Sequence, residues 1–211
     1  MTRAAVETSV ATGQIVRELE ESAQTKLKLK AHAETIAAMA QAIIESLRAG
    51  GKLVAFGNGG SAADAQHIVA ELVGQFQGVR KGLPAVALTV NTSVLTAIGN
   101  DFAFEEIFAR QVEALAKPED VILAISTGGY VEGSGPFSKN VVRGVEEAKR
   151  IGAKTIGLLG KTGGLLATMV DIPLVVPSSN TQRIQEAHIA IGHIVCSLVE
   201  QGLMADGTLA S

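Results

Sequence analysis

The spacing of apolar residues changes character at about residue 50 of this 211-residue chain. Before that point it is helical throughout. Val10, Ile15, Val16 and Leu19 suit one amphipathic helix. After a polar stretch at 20–28, a second helix is expected over about 32–48. Its stripe is Ile36, Met39, Ala40, Ile43, Ile44 and Leu47, and it stops at Gly50-Gly51. Beyond residue 51, short unbroken apolar runs alternate with helical stretches. The runs at 52–56, 84–88, 121–125, 154–159 and 172–176 read as strands. Helices are expected from Ser61 onward and over 93–99, 105–116, 140–151, 163–170 and 181–201.

Apolar runs without polar alternation are the mark of strands covered on both faces, and strands alternating with helices imply a parallel sheet. The expectation is an α/β fold: a flavodoxin-like, doubly wound sheet of five parallel strands over residues 51–211, in the order 2-1-3-4-5. A helical extension, residues 1–50, precedes it. That extension has little sheet of its own to cover and is expected to pack on another subunit.

Composition narrows the function. The chain is 47% hydrophobic and 18% charged, enough to bury a sizeable core as one domain. A net charge of −3 gives no electrostatic case for nucleic acid or an acidic membrane surface. Trp is absent and Tyr130 is the only tyrosine, which removes the stacking platforms of single-strand binders. No signal peptide is read at the N-terminus, and no run approaches the roughly 20 apolar residues of a membrane helix. Cys196 is alone, so no intrachain disulfide forms and a reducing cytoplasm is the natural setting. The mean hydropathy of +0.30, reached with few aromatics, points to buried subunit interfaces.

The chemistry centres on residues 52–76. A buried strand runs into Gly57-Asn58-Gly59-Gly60, and Ser61 opens a helix with Asp64 three residues on, close to a capping box. Strand, glycine loop and helix start present free N–H groups and a dipole end that suit a phosphate. Asn58, Gly59, Gly60 and Ser61 are therefore candidate phosphate residues. The loop is neither a P-loop nor a full dinucleotide fingerprint, because Ala62 stands where a third glycine belongs. A plain tight turn with Ser61 as N-cap accounts for the loop alone equally well. His67 and Glu71 share one helical face four residues apart. They read as a base and its partner, as two metal ligands, or as a solvated pair. A second polar loop, Ser126-Thr127-Gly128-Gly129, leaves the third strand. In the expected strand order the two loops converge on one crevice at the carboxyl ends, where ligands bind in such sheets.

These stretches resemble the sugar isomerase (SIS) domain family, specifically the phosphoheptose isomerases, which act on sedoheptulose 7-phosphate. The likeness is carried by FGNGGSAADAQH-x3-E at 56–71, LTAIGNDFAFEEIF at 95–108, ISTGG at 125–129, GLLGKTGG at 157–164 and RIQEAHIAIGH at 183–193. It implies a homotetramer with sites between subunits. It also implies an aldose–ketose isomerisation to D-glycero-D-manno-heptose 7-phosphate, the first step toward nucleotide-activated heptose. On the matching positions the resemblance implies Glu71 and His193 as catalytic groups. It implies His67, Glu71, Gln185 and His193 as ligands of a zinc ion, and Ser61, Ser126 and Thr127 as phosphate contacts. Gln185 and His193, eight apart, fall roughly 80° apart on a helix, near one face. His188 on the same helix is expected to be structural, and His32 a surface residue.

Three departures surround the site. The family's Ser-Thr-Ser-Gly-Asn-Ser is here Ser126-Thr127-Gly128-Gly129-Tyr130 followed by extra residues, so a serine is lost at Gly128. Ser134 or Ser138 is the candidate replacement. Asn91, a substrate-side position, stands where the family usually has Asp, and Gln75 where it has Arg. The expectation is an isomerase whose 128–138 loop is remodelled or naturally varied. The alternatives are a non-catalytic SIS module that binds a sugar phosphate or a protein partner, as in the family's replication-initiation regulators, and another sugar-phosphate isomerase of the same fold.

Overall fold

A computed structural model of the protein describes residues 3–133, 135 and 137–205. Five parallel strands form one sheet in the order β2-β1-β3-β4-β5, as expected. They are β1 (Leu53–Gly57), β2 (Ala85–Ala87), β3 (Val121–Ser126), β4 (Lys154–Gly160) and β5 (Ile172–Val176). The helices are α1 (Arg3–Lys28), α2 (Ala33–Arg48), α3 (Gly60–Val73), α4 (Thr92–Asp101), α5 (Ala109–Leu115), α6 (Lys139–Ile151), α7 (Leu166–Met169) and α8 (Thr181–Ala205).

The strands are buried on both sides because alternate residues feed two cores. Leu53, Ala55, Leu123, Ile125, Ile156 and Leu158 join α2, α3 and α8 on one face. Val54, Phe56, Ile122, Ala124 and Leu159 join α5 and α6 on the other. β1 and β3 are neighbours with Gly57 opposite Ile125, so the loops leaving them start side by side.

Three local expectations change. The polar stretch 20–28 does not interrupt α1; a 3-10 turn at Leu29–His32 does. Ser22 and Thr25 are buried, and Thr25 Oγ1 donates to the Glu21 carbonyl, so polarity alone did not mark a break. Next, α2 covers its own sheet: Ile36, Met39, Ala40, Ile43 and Ile44 lie in the core beneath it. What α1 leaves uncovered is Val10, Ile15, Val16 and Leu19, all exposed. Third, α8 is long and apolar enough by composition to cross a membrane, which the sequence reading did not find. Half of its most apolar stretch is buried inside this molecule, and Ile184, Ile191, Val195, Val199 and Leu203 pack in the core, so it is the core helix of the fold.

α3 and α8 run parallel in contact. Gly60 meets Gln185, Ile68 meets Gly192, and Cys196 Sγ lies 3.9 Å from the Ile68 carbonyl. A Cβ at Gly192 would sit 2.7 Å from Ile68 Cγ1, so the small residue sets how closely the helices approach. Gly192→Val is therefore expected to cost about 1–3 kcal/mol of stability through overpacking. Ile68→Ala in the same chain should recover part of that loss in urea unfolding, whereas Ile68→Ala alone should destabilise.

Candidate active site

The close approach of α3 and α8 brings three side chains together. His67 Nε2 lies 2.9 Å from Glu71 Oε1. His193 Nε2 lies 3.1 Å from His67 Nε2 and 3.7 Å from Glu71 Oε1. The solvated-pair reading of His67 and Glu71 therefore gives way to a cluster of three. Two Nε2 atoms facing each other at that distance need a proton on one ring or a cation between them. All three candidate ligand atoms fall within 4.8 Å of one another. Two imidazole nitrogens and one carboxylate oxygen are a donor set that suits a borderline divalent ion with a position left open. The Phe76 ring stacks on His193, with centroids 5.8 Å apart and planes at 21°.

Gln185 lies on α8 two turns before His193, and its amide packs against Gly60 at the start of α3. It makes no hydrogen bond to His67, Glu71 or His193. A Cβ at Gly60 would displace that amide from its place. The helix begins at Gly60, with Gly59 as N-cap at φ 55° and no side-chain cap. The expected Ser61–Asp64 capping box is not formed. Ser61 is buried in the first turn. Gly59 supplies the left-handed corner that no L side chain takes readily, and its carbonyl accepts the first helical bond.

The two loops meet as expected, with one further partner. Ser126 Oγ lies 3.0 Å from Ser138 Oγ, where Ser138 precedes α6 in a left-handed conformation at φ 64°. Asn58 and Asn140 exchange reciprocal amide hydrogen bonds of 2.8 Å. The Asn58 side chain thus ties the glycine loop to the start of α6. Asn140 and the role of Ser138 at the helix start were not read from the sequence; the hydroxyl directly before a predicted helix was the available signal. Ser134, the other serine considered, lies outside the described residues, as does Pro136. Thr127 is half-buried, and its carbonyl faces Gly160.

The extended loop is docked at its root. Gly129, at φ 61°, presses on the Gly163 backbone, and Leu165 N donates to the Tyr130 carbonyl at 2.7 Å. Tyr130 packs against the second core, while Phe137 is exposed. Asn91 acts as N-cap of α4, its Oδ1 accepting from Val94 N at 3.1 Å. Gln75 is exposed just past α3.

Two partly or fully buried groups titrate away from their ordinary values. Desolvation raises Asp64 to about 6, opposed by the His67 charge, and its Oδ2 is buried without a partner. His188 is fully buried beneath α8, with Nε2 3.0 Å from the Leu159 carbonyl and Nδ1 unpartnered. Its Nε2 therefore carries the proton, and burial lowers its pKa to about 4. The structural role expected for it agrees with this position.

Known proteins share this architecture. The SIS domain model matches residues 19–160, which gives the class: a sheet of the sugar isomerase type. The phosphoheptose isomerase of Geotalea daltonii is 54% identical over 171 residues, 81% of this chain and 85% of that one. The phosphoheptose isomerase of Roseiflexus is 47% identical over 193 residues, 91% of this chain and 94% of that one. The structure of the Neisseria gonorrhoeae phosphoheptose isomerase is similar at a TM-score of 0.83 and 38% identity, covering 90% of this chain and 99% of that one. The chain belongs to the phosphoheptose isomerase family of SIS-domain enzymes.

His188 gives a pH test. Its folded pKa lies below the 6.5 of the unfolded chain, so its contribution is present above pH 6.5 and lost as pH falls toward 4. Asp64, raised from 3.8, works in the opposite sense over nearly the same window. Urea unfolding of the parent and of His188→Asn is expected to show the parent losing up to about 3 kcal/mol relative to the variant between pH 7 and pH 4. A constant difference would contradict the buried neutral imidazole.

Proposed function

We propose that this protein interconverts sedoheptulose 7-phosphate and D-glycero-D-manno-heptose 7-phosphate, with Glu71 and His193 as the acid–base pair. The observation that carries this reading is the convergence of His67, Glu71 and His193 beside a glycine loop in a phosphoheptose isomerase fold. A module that only binds a sugar phosphate has no need of such a cluster.

The reaction moves one proton from C1 to C2 through an enediol, while a hydroxyl proton passes from O1 to O2. Glu71 takes the carbon-bound proton and returns it to the neighbouring carbon. His193, 3.7 Å from the Glu71 carboxylate, serves the oxygens. The side chain of Glu71 is 21% exposed, so a substrate reaches it directly from solvent. The phosphate is held at the carboxyl ends of β1 and β3, by the N–H groups of Gly59 and Gly60 and the hydroxyls of Ser61, Ser126, Thr127 and Ser138. Ser138 takes up the role of the serine absent at Gly128. Asn91 and Gln185 border the sugar. His67, Glu71 and His193 are the residues that would hold a zinc ion, with Gln185 the fourth ligand implied by the resemblance. That ion supplies Lewis-acid polarisation of the substrate carbonyl when bound.

The exposed apolar residues of α1, with Ile194 of α8, support a homo-oligomer, which the resemblance makes a tetramer. Cys196, the only cysteine, is buried and fits a reducing cytoplasm.

The deciding measurement is turnover of sedoheptulose 7-phosphate with and without added zinc. Aldoheptose phosphate formation is expected. A folded protein without turnover under either condition would favour the binding module. Glu71→Gln is expected to lower kcat by at least about 100-fold with the fold intact. Gly128→Ser has open space, with nothing within 4 Å of the new Cβ. One added hydroxyl is expected to tighten inhibition by inorganic phosphate about fivefold; unchanged inhibition would place position 128 outside the phosphate cradle.

A further inference from the structure

The segment after α3 holds a cation that the reaction does not use. Arg80 has a fully buried side chain. Its Nε donates to Glu200 Oε2 at 2.6 Å. Its Nη2 donates to the carbonyl of Glu71 at 2.7 Å, and Nη1 to the carbonyls of Leu72 at 2.8 Å and Lys81 at 3.1 Å. Glu71 and Leu72 lie in the last turn of α3, where carbonyls lack helical partners. Glu200 sits near the end of α8, buried as well. Its Oε1 accepts from Gln77 N at 3.1 Å and Gly78 N at 2.9 Å. One buried ion pair thus closes the end of α3, fixes the turn at 77–78 and fastens both to α8.

Each limb ends on a member of the cluster. The guanidinium binds the backbone of Glu71 itself. The turn held by Glu200 follows directly on Phe76, whose ring stacks on His193. The carboxylate and the imidazole come from different helices, so their separation depends on what locks those helices together. Reacting groups displaced by about 1 Å can lose about 100-fold in rate. Gly192 sets the approach of the two helices from one side, and the ion pair fixes their axial register at the far end.

We infer that Arg80 and Glu200 are positioning residues for catalysis: their buried ion pair sets the geometry of Glu71 and, through Phe76, of His193. The inference rests on Glu71 and His193 carrying the reaction. Lysine at position 80 keeps the charge but not the planar fork of donors, so it cannot bind Glu200 and three carbonyls at once. Glutamine at position 200 keeps the shape and an acceptor for the turn but removes the charge.

The experiment measures kcat and KM for sedoheptulose 7-phosphate, and binding of zinc by competition with a chromophoric chelator. The proteins are the parent, Arg80→Lys, Glu200→Gln, Phe76→Leu and Glu71→Gln, each checked for fold by circular dichroism. Arg80→Lys and Glu200→Gln are expected to lower kcat about 10- to 100-fold. KM should stay within about threefold, because the glycine loop lies at the opposite end of α3 from the ion pair. Zinc affinity should fall with kcat. Phe76→Leu leaves every hydrogen bond of the ion pair in place, so it reads the His193 limb even where Arg80→Lys does not fold. It should lower kcat and displace the pH–rate limb that reports the imidazole. Folded variants with the parent's kcat, zinc affinity and pH profile would overturn the inference, the ion pair then serving stability alone. If Glu71→Gln also keeps its turnover, the assignment of the reaction to Glu71 has failed. If Glu71→Gln is inactive while the others match the parent, only the positioning role has failed.

Discussion

The contact between α3 and α8 is the constraint on which the site depends. The two helices lie parallel on one face of the sheet, and Gly192 lets the backbone of α8 approach Ile68. Each helix alone carries an ordinary set of polar residues. Side by side they place two imidazoles and a carboxylate within a few ångströms. The attraction that holds the helices is non-directional: Ile68, Leu72, Ile184, Ile191 and Val195 are buried in one core with the strands. Direction comes from the polar contacts at the far end, where Glu200 meets Arg80, Gln77 and Gly78.

The phosphate side of the site follows from strand order. β1 and β3 pair in parallel, so their exits leave from one edge of the sheet. The exchange of amide bonds between Asn58 and Asn140 then locks the glycine loop to the start of α6. This explains how the longer loop after β3 is accommodated. Its root is fixed by Gly129 against Gly163 and by the Leu165–Tyr130 backbone bond. Its return is fixed by Ser138 beside Ser126. Extra length between two fixed ends costs little, because loop-closure entropy grows slowly with length. The loop thus has an anchor at each end.

The departures at Asn91 and Gln75 read differently once placed. Asn91 caps α4, a task its amide oxygen performs as well as a carboxylate oxygen. The loss of charge there leaves the local backbone satisfied. Gln75 is exposed immediately before Phe76, so its side chain takes no part in the core.

Residues alone determined the alternation of strands and helices and the two polar loops that follow the first and third strands. Each is written in a local pattern: apolar runs of strand length, glycines at tight corners and a 3.6-residue stripe. The pairing of His67 with Glu71 was legible for the same reason, as two positions one turn apart. The helix boundaries slipped where tertiary contacts outweighed local polarity, as at residues 20–28, where Ser22 and Thr25 are buried and α1 runs on. The entry of His193 into the cluster was available only through resemblance, since 126 residues separate it from His67. Tertiary structure decided the rest. It set Ser138 beside Ser126, Asn140 across from Asn58, Gln185 against Gly60, and Arg80 on the backbone of Glu71. These are contacts between groups far apart in the chain, and their energy depends on distances of a few ångströms. Periodicity encodes which face of an element is buried; it carries no information on which polar group from another element will meet it there.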